Sequence, residues 1–199
     1  MNKIRLNRLE FRRKLFHLIF GLSLLIGIYS RFLGLRELVG LLALGVVLSI
    51  LCRHHRIPLI SRLIDAFERP EYVKTMPGRG ALYEVTGVLL SVALFPRDIA
   101  LASTAIMAIG DSIAPLIGQF GKVKHFFNSR KMIEGTIAAI ICSAWGASFF
   151  VAPVEALCAS TVSMAAEVFE IRLRKRIIDD NISVPLLSGA VIVIIRALR

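Results

Sequence analysis

Apolar residues fall into seven long runs, separated by short segments where charge, glycine and proline collect. Within a run the apolar positions are nearly continuous rather than alternating, and each run is longer than a typical strand. A helix that crosses a bilayer needs about 20 apolar residues, with a range of about 17–25. The pattern predicts spans over about Leu15–Ser30, Leu38–Cys52, Ala81–Phe95, Ile99–Gln119, Met132–Ala152, Val154–Ile171 and Val184–Leu198. Several are short of full spanning length, which leaves room for one or two re-entrant segments. The expected fold is all-α, a polytopic transmembrane helical bundle of about seven spans, and residues 1–199 form a single integral membrane domain with no soluble domain left over.

The longest connection, Arg53–Gly80, is too small to fold alone. Its apolar positions predict an interfacial helix near Ile57–Phe67. Pro70 and Pro77-Gly78 punctuate it, and Phe95-Pro96-Arg97-Asp98 and Ala152-Pro153 mark tight turns. The basic N-terminus is followed by an apolar run with no small-residue cleavage site, so it reads as a first transmembrane helix rather than a cleaved signal.

Composition strengthens the membrane reading: 56% of residues are apolar and mean hydropathy is +0.70. The net charge of +11 is uneven along the chain. With the N-terminus inside and seven alternating spans, 20 of the 25 Lys and Arg residues fall on inside segments. That bias obeys the positive-inside rule and predicts a cytoplasmic N-terminus. The same cationic face can attract an anionic nucleotide or lipid headgroups. Because the basic residues are tied to span ends, a nucleic-acid partner is not expected.

Cys52, Cys142 and Cys158 each lie in an apolar run at spacings that match no zinc or redox motif. They read as small buried apolar residues. His54-His55, beside Arg53 and Arg56, read as interfacial packing or lipid contact, since too few further ligands lie nearby for a metal.

Four polar constellations break the apolar pattern. The first run opens with Glu10, Arg13, Lys14 and His17, whose spacings of three and four share one helix face. The two cations can snorkel to the interface, but His17 lies deeper, where an ionisable group marks a functional site by default. Glu84 opens the third run, either lining a site or pairing with Arg79, with the structural role favoured.

Asp111 is the most informative residue of the fourth run. A carboxylate at the centre of a membrane helix costs roughly 2.5–3.5 kcal/mol on insertion scales. Ala108, Asp111, Ala114-Pro115 and Gly118 share a face of small residues. Gly110 and Pro115 predict a broken helix lining a buried or wet cavity. Asp111 can bind Mg²⁺, a hard cation that shares oxygen ligands with substrate phosphates, or form a structural ion pair. Gly118 and Gly121-Lys122 offer backbone amides to phosphate, with Lys122, Lys124, Arg130 and Lys131 adding charge, although the full Walker pattern is absent. Ser129 is placed to cap the fifth long helix, with Glu134 in its first turns.

The sixth run ends on Glu167 and Glu170. The basic run Arg172–Arg176 follows, then Asp179-Asp180-Asn181 and Pro185. The aspartate pair can hold a second metal or activate a hydroxyl, or serve as a polar turn and cap for the last helix.

Arg13-Lys14…His17, Gly80-Ala81-Leu82-Tyr83, Gly110-Asp111…Gly118…Gly121…Lys131…Glu134-Gly135 and Asp179-Asp180-Asn181…Pro185 together resemble the polyprenol kinase family. This family comprises dolichol kinase, phytol kinase and CTP-dependent diacylglycerol kinases, and the resemblance covers residues from about 10 to 190. The central element is also similar to phosphatidate cytidylyltransferases. Their Lys-Asp pair and His-Gly-Gly run before paired acids are missing, and the Asp-Asp-Asn element looks like the kinase branch. Lys131-Met132-Ile133 departs from the family's small polar residue after the lysine.

The resemblance implies a CTP-dependent, Mg²⁺-dependent kinase that phosphorylates a membrane isoprenoid alcohol or diacylglycerol from the cytoplasmic face. The compact chain suggests a prokaryotic plasma membrane. The resemblance also implies Asp111 as ligand of the metal-bound phosphate, with Lys122, Lys131 and Lys14 on the triphosphate. Glu134 would orient Lys131 or the metal. Asp180 would activate the lipid hydroxyl or bind a second metal, and Asn181 would hold the loop. His17, Gly118, Gly121, Ser129 and Gly135 complete the expected nucleotide site. Two other classes remain: a CDP-lipid synthase, and a small membrane transporter, for which internal inverted symmetry would be expected and none is evident.

Overall fold

The computed structural model describes residues 8–55, 57–169 and 179–199, and the backbone of 172–173 and 176–177. Arg56, Glu170, Arg174 and Lys175 lie outside the described residues, as do the side chains of Arg172 and Arg176. Among the described residues, nine helices succeed one another: α1 Arg8–Tyr29, α2 Leu35–His54, α3 Pro58–Phe67, α4 Pro70–Val73, α5 Arg79–Leu94, α6 Arg97–Gly118, α7 Ile133–Ala147, α8 Pro153–Phe169 and α9 Asp180–Ala197. The all-α expectation needs one small amendment. Two-residue antiparallel strands, β1 Arg172–Leu173 and β2 Arg176–Ile177, make a ribbon before α9.

The seven helices of 15 or more residues occupy the seven predicted runs. Three of them, α2, α6 and α9, are long and apolar enough to cross a membrane. Only 6% of the apolar window of α2 is buried in the protein, and Ile26, Leu44, Ile50, Ile141, Trp145, Phe149 and Ile194 also project outward. A bare apolar girdle of this kind needs lipid to cover it. The amphipathic helix expected in the long connection is α3. Leu59, Ile60, Leu63, Ile64 and Phe67 lie on one face of it, and Pro58 starts it where no amide partner is needed.

α6 is the central post, packed against α1, α7 and α9. It is buried continuously from Ile99 to Ala108 and again at Gly110, Asp111 and Ser112. Small residues let its neighbours come close. A Cβ on Gly21 of α1 would lie 2.6 Å from Ala108 Cβ, and one on Gly110 would lie 2.7 Å from Met164 of α8. Ser103 and Thr104 satisfy their hydroxyls on the carbonyls four residues back, at 2.7 and 2.8 Å. The expected break does not occur: α6 runs unbroken through Gly110 and Pro115 to Gly118. Pro115 sits in the final turns, and Gly110 serves close packing rather than a kink.

Candidate active site

The close approach of Gly21 to Ala108 brings α1 and α6 into register one turn further along each helix. His17 lies four residues before Gly21, and Asp111 three residues after Ala108, so the two meet: His17 Nε2 is 3.1 Å from Asp111 Oδ2. Lys14, on the same face of α1, donates to the same oxygen at 2.6 Å. The second ring nitrogen, Nδ1, pairs with Glu84 Oε2 of α5 at 2.8 Å. Glu84 therefore does not pair with Arg79. That guanidinium lies 3.5 Å from Asp179 and stacks on Tyr72 and Tyr83.

From the other side, α8 ends with Glu167 facing the same space. Lys131 donates to its carboxylate at 2.6 Å and to its carbonyl at 2.7 Å. Burial is the largest influence and works against the Lys131 ammonium. The charge and hydrogen bond of Glu167, with the charges of Asp180 and Asp111, together outweigh it and hold the group above its ordinary 10.5. α9 delivers Asp180 and Asn181. Gly87 of α5 lets the Asn181 carbonyl approach so closely that any Cβ there would collide with it. The aspartate pair divides its work. Asp179 caps α9, accepting from the Asn181 backbone at 3.3 Å and its Nδ2 at 2.9 Å. Asp180 is left facing the cluster.

One oxygen from each of Asp111, Glu167 and Asp180 lies within 4.8 Å of the others. Three hard oxygen donors at this spacing suit Mg²⁺. They border a cleft of about 410 Å³ that Arg13, Lys14, Arg69, Arg130 and Lys131 also line. An adjoining cavity of 280 Å³ shares Asp111, Lys131 and Asp180 and adds Arg79, Asp179 and Asn181. Three acids with converging cations can hold a metal-bound polyphosphate and still leave a carboxylate to accept a proton.

Of the residues expected from sequence, Lys14, Asp111, Gly118, Lys131 and Asp180 line the large cleft. His17 and Asn181 border a third cavity beside it. Gly121, Lys122, Ser129, Glu134 and Gly135 do not line the large cleft. Glu134 does not orient Lys131. It accepts from the backbone amides of Lys122 at 2.7 Å and Val123 at 3.1 Å, and so clamps the glycine turn after α6. Gly135 is a packing residue, since a Cβ there would meet the Ala114 carbonyl and Gly118. Ser129 is exposed and caps nothing, because Met132 holds the cap position of α7.

Glu167 and Arg69 line the large cleft without being assigned to it from the sequence. Glu10 shares the recognised face of α1, and its carboxylate holds Arg13 at 2.8 Å and Arg69 at 2.7 Å, tying α1 to the segment after α3. Glu167 had the same signal as Asp111, a carboxylate within an apolar run.

No protein-family model matches the chain, and no solved structure matches it. An uncharacterized protein of Methanocaldococcus jannaschii is 30% identical over 188 residues, 92% of both chains. A protein of Glycine max named probable phytol kinase 1, chloroplastic, is 33% identical over 128 residues, 57% of this chain and 42% of that one. A probable phytol kinase of Triticum aestivum is 37% identical over 123 residues, 54% of this chain and 41% of its own length. The chain therefore belongs to one family with the Methanocaldococcus jannaschii protein, and over more than half of its length it is related to plant phytol kinases.

Proposed function

We propose that the protein is a membrane lipid kinase that transfers the γ-phosphate of CTP to the hydroxyl of an isoprenoid alcohol, with Mg²⁺, at the cytoplasmic ends of a seven-span bundle. The observation that carries this reading is the convergence of Asp111, Glu167 and Asp180 within 4.8 Å beside Lys14 and Lys131. The plant relatives named phytol kinase support the acceptor class. The Lys and Arg bias of the chain supports the cytoplasmic placement. CTP and Mg²⁺ rest on the resemblance and on the donor set.

Phosphoryl transfer asks a protein mainly for positioning and charge neutralisation. Asp111 and Glu167 would hold Mg²⁺, which would supply charge neutralisation to the triphosphate. Lys14 and Lys131 bind the triphosphate in the 410 Å³ cleft, where Arg13 and Arg130 add further charge. Asp180, which lines both cavities, takes the proton of the alcohol. The alcohol oxygen bonds to the γ-phosphorus, the bond to the β–γ bridging oxygen breaks, and CDP leaves. Glu134 keeps the turn after α6 in shape rather than touching phosphate.

The test uses purified protein in lipid-doped detergent with Mg²⁺ and CTP or ATP labelled at the α- or γ-phosphate. Phytol, polyprenols, diacylglycerol and phosphatidate are offered in turn. Label from γ-CTP in an isoprenoid alcohol, abolished by Asp111→Asn, is the expected result. Label from α-CTP in the lipid would instead mean cytidylyl transfer and would overturn the kinase reading.

A further inference from the structure

A chain of cavities leads away from the carboxylate cluster and grows steadily less polar. The 280 Å³ cavity beside Asp180 shares Arg13, Glu68, Gly80 and Asn181 with a cavity of about 170 Å³ under α3. That second space is walled by Phe16, Leu63, Ile64, Phe67 and Ala81, with His17, Glu84 and Asn181 among its polar lining. A third, of about 150 Å³, shares Ile64, Gly78 and Ala81 with it and continues between α2 and α5 along Leu48 and Leu82. Among the residues of this last space, Ser49 is the only polar side chain.

Three buried polar atoms of residues at the head of this path lack an aligned hydrogen bond: His17 Nε2, which lies 3.1 Å from Asp111 Oδ2, Glu84 Oε1 and Asn181 Oδ1. His17, Glu84 and Asn181 are 7%, 1% and 9% exposed. A buried polar atom left unpaired is destabilising, so it points to a missing partner. A hydroxyl both donates and accepts, and so can answer an amide oxygen and a ring nitrogen together. Further along, between α2 and α5, the path is walled by apolar side chains apart from Ser49, which suits a hydrocarbon chain.

We propose that these adjoining cavities under α3 are the acceptor track of the enzyme, taking a single-chain lipid alcohol hydroxyl-first to Asn181 and His17, with its tail running between α2 and α5. The proposal rests on the lipid-kinase reading for its ligand class. α3 forms the roof: Leu63, Ile64 and Phe67 face the track, while Leu59 is 72% exposed on its outer edge. α2, which contacts α5 and otherwise shows apolar surface outward, forms the distal wall. Glu84 holds the His17 ring from behind at 2.8 Å and fixes which nitrogen faces the cluster.

The test compares phytol with the shorter geraniol as acceptors in wild-type protein and in Leu48→Trp, which fills the distal cavity. Added bulk in a packed apolar pocket changes selectivity by about 10-fold or more. The expected result is a fall of that size in the phytol-to-geraniol ratio of kcat/KM, with KM for CTP unchanged. A ratio that does not move overturns the track. Because a bulky substitution can also unfold α2, wild-type protein is photolabelled with a diazirine-tailed phytol analogue. Label on Phe16, Leu63, Ile64 or Ala81 supports the track, and label confined to α7 and α8 overturns it. The two readings fail separately. Track labelling without phosphoryl transfer would sink the kinase reading alone, and transfer with label elsewhere would sink the track alone.

Discussion

α6 carries a charged cluster at each end, and the two could be mistaken for each other. Asp98 and Asp111 are separated by about 20 Å along the helix. At the first end, Arg196 meets Asp98 at 2.6 Å and Glu155 at 3.1 Å, Arg199 meets Glu155 at 3.4 Å, and the Ala152 amide completes Glu155. Two acids there face two arginines, and the arginine contacts close the ends of α6, α8 and α9 together. At the other end, Lys14–Asp111 and Lys131–Glu167 are just as short, 2.6 Å each. A third acid, Asp180, has no lysine of its own in direct contact among the ion pairs of the described residues, and the cluster opens on a 410 Å³ cleft. Short ion pairs do not separate a lock from a site. Surplus carboxylate beside open volume does.

The sharpest break in that comparison is Asp111→Asn. It should lower γ-phosphate transfer about 10³-fold, the scale of removing a preorganised charged group from a reacting centre, as read by single-turnover transfer of label. Lys131→Met should come next with a loss of about 10²-fold, partly restored by Lys131→Arg, because the position supplies charge to the phosphates as well as a partner to Glu167. At the opposite end, Glu155→Gln should leave turnover per folded molecule unchanged and cost stability by about 1–3 kcal/mol, read by thermal unfolding in detergent. A loss of turnover there would end the distinction between the clusters.

Smaller still is Glu134→Ala. Releasing the amides of Lys122 and Val123 should raise KM for the nucleotide while kcat holds, since the turn is loosened and no reacting group is lost. The pH dependence of Lys131 is the mildest test. Its folded value is raised above the ordinary 10.5, so its charge contributes fully at lower pH and is lost only as pH rises through the raised value. The rate should therefore show no alkaline fall from this group through mildly basic pH, and Lys131→Met should leave the shape of that limb unchanged.

Much of the site was legible because a membrane makes polar residues conspicuous. Lys14, His17 and Asp111 stand out within apolar runs, and helical spacing alone puts Lys14 and His17 on one face. Glu167 carried the same signal but sat beside the basic run, where it read as a span end. Ser129 had the residue type of a cap, but the Lys124–Met132 bridge carries the chain on to Met132 before α7 begins. Gly110 and Pro115 have the composition of a break, and only the packing of Met164 on Gly110 shows that the glycine serves a contact.

The order and type of the long helices, their apolar outer surface and the amphipathic α3 were determined by the sequence itself, because hydrophobic period and run length act locally. Which charges meet was decided by tertiary structure alone. Lys14 finds Asp111 across 97 residues, and Lys131 finds Glu167 across 36. Those meetings depend on glycines and alanines at helix crossings, where a single Cβ more would separate the backbones. The division of Asp179 and Asp180 into cap and site acid has the same origin. Adjacent identical residues differ in role only once α9 is docked against Gly87, and no local pattern encodes that contact.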